Sequence, residues 1–107
     1  MALLHLTPLF QGNVTAGAVR TIYTVPAGDR VNLRNVVMSN RSAAAQTVTL
    51  SLNGQYIVAW FGLAAAGGGS SSATWSGWLV LAPGTTITFN VQTGSCDVLC
   101  SGSIYTI

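Results

Sequence analysis

The dipeptide Asn53-Gly54 constrains this chain more than any other pair of residues. A two-residue hairpin turn needs positive φ at both central positions, which Asn and Gly tolerate. Before the pair, residues 47–52 alternate, with Val48, Leu50 and Leu52 on one face and Thr47, Thr49 and Ser51 on the other. After it, residues 55–61 return as a strand that is apolar on both faces. Tyr56, Val58 and Trp60 share one face, and Ile57, Ala59 and Phe61 share the other. A large aromatic on a strand of a small sandwich is most often core, so Tyr56 and Trp60 are expected inside together.

The rest of the chain repeats the strand-and-turn rhythm. Residues 19–25 are rich in β-formers and end at the turn Pro26-Ala27-Gly28-Asp29. Residues 31–39 form the next strand, and its phase changes midway. Val31 and Leu33 share one face while Val36 and Met38 share the other, so either a bulge sits near Asn35 or both faces are covered. Residues 75–81 and 85–91 are strands joined by Ala82-Pro83-Gly84, and residues 98–107 close the chain. A short strand near residues 3–6 brings the total to about eight. Strands at this spacing predict one all-β domain over residues 1–107: a single antiparallel β-sandwich, jelly-roll-like or immunoglobulin-like. Residues 1–17 are expected to form an N-terminal arm. Residues 62–74, with the low-complexity run Ala64 to Ser72, are expected to form a flexible loop.

Composition removes several classes. Charged residues make up 6% of the chain, against about 25% in a typical domain. There is no charged face at helical period, so a helix bundle is excluded. The net charge of +2 comes from four scattered Arg and two Asp, which predicts no direct nucleic-acid contact. No run of 18 apolar residues predicts a membrane helix. Met1 to Phe10 lacks a basic start and is broken by Pro8, so it does not read as a signal peptide. The sequons at Asn13 and Asn40 then read as chance.

Candidate chemistry is thin. His5 is the lone imidazole, and Asp29 and Asp97 are the lone side-chain acids. A nucleophile–base pair or a carboxylate pair would need them together. Cys96 and Cys100 would be about 13 Å apart on an extended strand, beyond the roughly 7 Å a disulfide allows. They read as small buried thiols, and neither a cofactor nor a metal is expected. Trp60, Trp75, Trp78, Tyr56 and Tyr105 could stack on sugar rings, so a glycan-binding module is one alternative. Sparse charge, with three strands apolar on both faces, favours self-association.

Several blocks carry a family resemblance. The segment Thr21-Ile22-Tyr23-Thr24-Val25-Pro26-Ala27-Gly28-Asp29-Arg30 opens it. Arg34-Asn35-Val36-Val37-Met38-Ser39-Asn40, Val48-Thr49-Leu50 and Leu52-Asn53-Gly54 continue it. Trp75-Ser76-Gly77-Trp78-Leu79-Val80-Leu81-Ala82-Pro83-Gly84-Thr85 and Val98-Leu99-Cys100-Ser101-Gly102 complete it. Over about residues 18–104 the chain resembles small β-sandwich structural proteins of tailed bacteriophages. It departs from them at Thr85, where similar sequences often carry an acidic residue. The resemblance implies a non-enzymatic place in the virion, assembled in the host bacterial cytoplasm. A capsid decoration (cement) protein is expected first, a homotrimer bound to the major capsid protein; a minor tail or tail-tip component, bound to tail proteins, is the alternative. The expected subunit contacts are exposed residues of the two-faced strands, Met38, Ile57, Phe61 and Trp78. The arm and the low-complexity loop are expected to reach partners.

Overall fold

A computed structural model of the chain describes residues 2–67 and 71–106, with side chains from residue 8 onward. It contains eight strands: β1 Ala2–Thr15, β2 Arg20–Thr24, β3 Asp29–Asn40, β4 Gln46–Leu52, β5 Tyr56–Leu63, β6 Ser72–Leu81, β7 Thr86–Val91 and β8 Ser95–Thr106. Among the described residues there is no helix long and apolar enough to cross a membrane.

The pairing follows from the hairpin. Asn53, at φ 54°, and Gly54, at φ 70°, turn the chain back so that β4 pairs with β5. Moving outward from that tip, β3 pairs with β6, β2 with β7 and β1 with β8, all antiparallel. The chain is therefore one long hairpin folded over on itself. Alternate pairs fall into opposite sheets, ordered β1-β8-β3-β6 and β2-β7-β4-β5. That order is the jelly roll, and it settles the choice left open against the immunoglobulin arrangement. The segment expected as an N-terminal arm is instead paired: β1 runs along β8 from Ala2 opposite Thr106 to Thr15 opposite Ser95. The apolar residues of this strand read as an arm because strand-forming pairs eighty to a hundred residues apart leave no local mark. The low-complexity loop is shorter than expected, since β5 extends to Leu63 and β6 begins at Ser72. Its residues 68–70 lie outside the described ones.

Bulges explain the two-faced strands. In β3 the register shifts between Leu33 and Asn35 against both neighbours: against β8 Arg34 is the extra residue, and against β6 it stands opposite two residues, Gly77 and Trp78. The shift lets Val31, Leu33, Val36 and Met38 all point inward, each fully buried. The expected bulge near Asn35 is thus present, one residue earlier. On the neighbouring strand, Gly102 lies under the Asn32 carbonyl, where a Cβ would collide with backbone. A second bulge, at Val58 of β5, breaks the strict alternation there.

The core between the sheets is aliphatic, centred on Phe89, Leu33, Met38, Leu50 and Ile87, with Cys96 and Cys100 among them. One polar cluster is buried beside it. Asn40 donates to the carbonyls of Ala44 at 2.9 Å and Ala64 at 2.8 Å. Its own carbonyl oxygen accepts from the Ser42 amide at 2.8 Å and from the Gln46 side chain. Gln46 also donates to Ser95 O at 3.0 Å and accepts from Thr93 N at 3.2 Å. Two amide side chains thereby tie together three connections at one end of the sandwich. With Asn40 only 1% exposed, its sequon is closed to modification in the folded chain.

Two substitutions test this account by urea unfolding, each shifting the midpoint at unchanged slope. Gly102→Ala should cost about 2 kcal/mol or more, because β8 and β3 must separate to admit the methyl. Asn40→Ala should cost about 2 kcal/mol, because it removes the partner of the Ala44 and Ala64 carbonyls, of the Ser42 amide and of one Gln46 N–H in a part-buried cluster.

Candidate functional site

The four residues expected at subunit contacts do not share one fate. Met38 is 0% exposed and belongs to the core, which corrects its assignment: the Arg34 bulge turns it inward. Phe61 sits opposite Val48 on the inner face and is half-buried against the core. Ile57 and Trp78 are exposed, at 61% and 57%. The sequence reading missed Tyr56, Trp60 and Val80, exposed at 69%, 65% and 56%. Tyr56 and Trp60 were expected in the core. Instead Trp60 faces outward opposite Thr49, and Tyr56 stands beside the hairpin tip opposite Leu52. No local signal marked them, because the edge position of β5 depends on the order β2-β7-β4-β5, which the sequence does not carry.

These five side chains all lie on β5 and β6, the edge strands of their respective sheets. The two strands follow each other in the chain and touch across the gap between the sheets, so they form one flank; Trp60 projects from the outer face of one sheet, and Trp78 and Val80 from the outer face of the other. Trp75 and Trp78 divide as strand geometry predicts. Trp75 packs on the core, its ring across Gly77, where a Cβ would lie 2.7 Å from the indole. Trp78 turns out, and the Arg34 guanidinium stacks over it, 4.3 Å from the ring centroid. The Trp-Ser-Gly-Trp block is therefore one device: a small residue seats the inner ring, and the bulged arginine covers the outer one.

The opposite flank, formed by β1 and β2, is fastened. Arg20 reaches from β2 to donate to the Asn13 carbonyl of β1 at 3.0 Å, and its guanidinium lies 5.5 Å from the Phe10 ring centroid.

Elsewhere the chemistry is quiet. The ladder of β3 and β8 places Asp29 opposite Thr106 and Asp97 opposite Ser39, ten residues along β3. At about 3.3 Å per residue the two carboxylates stand roughly 30 Å apart, far beyond the 5–10 Å of a paired acid and base. Asp97 accepts from Asn13 at 2.9 Å and pairs with Arg41 at 3.3 Å on the surface. Beside it, Gln11, Asn13, Ser39, Val37 and Leu99 line an open depression of about 390 Å³ on the outer face of that sheet. Among the described residues no cluster of His, Cys, Asp or Glu could hold a metal ion. His5 lies on β1, outside the residues whose side chains are described.

The two cysteines are free and buried, as their sequence reading held. Burial pushes the Cys96 thiol up to about 11 and the Cys100 thiol up to about 12. Burial, with Asp29 nearby, also raises Tyr23. The thiolate is the reactive form, so both sulfurs should resist a thiol reagent at pH 8 until the chain is denatured. Unfolded thiols ionise near 9, whereas the folded ones hold their protons to about 11 and 12. The unfolded state binds fewer protons across that window, so stability should fall as pH rises from about 9. The Cys96→Ala/Cys100→Ala double variant should show a shallower decline, measured by urea unfolding at a series of pH values.

No protein-family profile matches the chain, and no curated protein does. Among solved structures, the exo-beta-1,3-galactanase of Phanerochaete chrysosporium, crystallised with galactose, is similar over 94% of this chain at 23% identity, with a TM-score of 0.47. The chain spans 26% of the length of that enzyme, and a likeness of this degree carries no argument about activity.

Proposed function

We propose that this chain is a structural, non-catalytic subunit of a tailed-phage virion, a capsid decoration protein that self-associates as a homotrimer and binds the major capsid protein. The observation that carries the reading is the β5–β6 flank. Tyr56, Ile57, Trp60, Trp78 and Val80 stand in water on a molecule with six charged side chains over 5405 Å² of surface. Exposed apolar surface of that kind marks a contact with another protein. The resemblance over residues 18–104 supplies the setting, and the jelly roll is an architecture used in viral shells. The mechanism is passive. A subunit that bridges capsid neighbours adds about 25 cal/mol for each Å² of apolar area it buries, and repetition over a shell slows its opening under internal pressure.

A sugar-binding role is the second reading. It is favoured by Trp60, an exposed indole with Thr49 and Asn90 in the same outward row of its sheet. Quenching of tryptophan emission by an oligosaccharide at sub-millimolar concentration would move that reading to first place.

Quantitative mass spectrometry of purified particles tests the proposal. The chain should be present in hundreds of copies, close to stoichiometric with the major capsid protein. A handful of copies per particle would assign it to the tail, bound to tail proteins. Absence from particles would overturn the virion role.

A further inference from the structure

We propose that Asn53 is a deamidation site, its side-chain amide displaced by the Gly54 amide nitrogen, and that β7 holds the reaction off while the β4–β5 tip stays docked. This rests on the turn alone and stands whether or not the chain is a virion subunit.

The reaction needs no enzyme. The Gly54 nitrogen attacks Asn53 Cγ, and a C–N bond forms. The side-chain NH₂ leaves as ammonia, taking the proton from the Gly54 amide. Water then opens the five-membered imide at either carbonyl, breaking one of its two C–N bonds. The product is aspartate, or isoaspartate with one more carbon in the main chain. Asn is a thermolabile residue. Of the six Asn in this chain, Asn53 alone precedes glycine; the others precede Val, Leu or Arg. Glycine has no Cβ to crowd the approach to its nitrogen. Asn53 and Gly54 are both exposed, so water reaches the ring.

The neighbouring strand stands in the way. The tip is folded against β7 rather than projecting free. Asn53 N donates to Thr86 O at 2.9 Å. Asn53 Oδ1 accepts from Thr86 N at 3.0 Å and from Thr86 Oγ1 at 3.2 Å. The attacking group itself is engaged, since Gly54 N donates to Thr88 Oγ1 at 3.1 Å. That hydroxyl is buried and fixed, 2.6 Å from Ser51 Oγ and donating to Ser51 O at 3.0 Å. Ring closure cannot keep this arrangement. The imide nitrogen carries no hydrogen, so the bond to Thr88 is lost. The ring also contains the Asn53 Cα–C bond, so Asn53 must leave the left-handed turn it occupies at φ 54°. The reaction therefore starts from a lifted tip, and its rate follows the population of that state.

The products differ in consequence. Aspartate keeps an acceptor for Thr86 and takes the net charge from +2 to +1. Isoaspartate lengthens the two-residue loop, and loop length sets the register of β5 on β4. Time spent with the tip open is thereby written permanently into the strand that carries Ile57 and Trp60.

Peptide mapping by mass spectrometry, after incubation in mildly alkaline buffer, tests this on folded wild type beside the same chain in guanidinium chloride. Conversion at Asn53 should be roughly tenfold or more slower in the folded chain. Thr88→Val keeps the shape and removes the acceptor, so it should convert several-fold faster than wild type while its circular dichroism spectrum stays folded. If that variant unfolds, Thr86→Val, which removes one donor to Oδ1 at a half-buried position, takes its place with the same expectation. No conversion in the unfolded chain, equal rates in the folded and unfolded chain, or a folded threonine variant no faster than wild type would each overturn the proposal. A folded wild type faster than the unfolded chain would also overturn it, by showing that the Thr86 donors stabilise the oxyanion forming at Oδ1.

Discussion

The structure hangs on the single extra residue at Arg34. β3 is a central strand, bonded to β8 on one side and β6 on the other, so a change of phase within it propagates both ways. Without the bulge, either Val31 and Leu33 or Val36 and Met38 would face water. With it, all four enter the core. The neighbours accommodate the shift in different ways. β8 places Gly102 where the backbones crowd, and β6 places Gly77 and Trp78 opposite one residue. Arg34 then has no opposite residue on β8, and its guanidinium lies over Trp78, across from it on β6. Core packing, a glycine requirement and a surface stack are thus consequences of one insertion.

The architecture was legible because local signals agreed with it. Alternation in residues 47–52, the Asn-Gly turn and the Pro-Gly corners each marked a strand boundary near its actual place. The phase change in β3 was visible as a choice between a bulge and two covered faces, and the bulge was the solution. Strand order was not legible, because pairing of β1 with β8 depends on which distant surfaces fit once the sheets form. The arm was misread for the same reason.

The candidate site was legible by composition and hidden by position. Scarce charge and three strands apolar on both faces pointed to apolar side chains left in water, and two of those strands, β5 and β6, carry the exposed rings. Which rings was another matter. Periodicity gives a face relative to neighbours in the strand, but it does not say whether the strand is central or at an edge. Met38 was assigned outward because the bulge was not placed. Tyr56 and Trp60 were assigned inward because β5 was treated as covered. Ile57 and Trp78 are exposed as expected, since either phase of a poorly covered strand leaves one side in water. The buried amides of Asn40 and Gln46 gave no sign in the sequence beyond a loop of small residues. Their role depends on three connections converging in space.

The nested pairing has one more result. Because the outermost strands of the folded hairpin are partners, Ala2 and Thr106 sit directly opposite each other on adjacent strands. Residues facing each other in this way have Cα atoms about 5 Å apart. Polypeptide joined to either end would therefore depart from the same corner, at the pole where β3 begins at Asp29. Such a domain can be spliced into an exposed loop of a larger protein with little distortion of its host. Equally, its ends can be tied by a few residues and new ones opened elsewhere, leaving every strand pair intact.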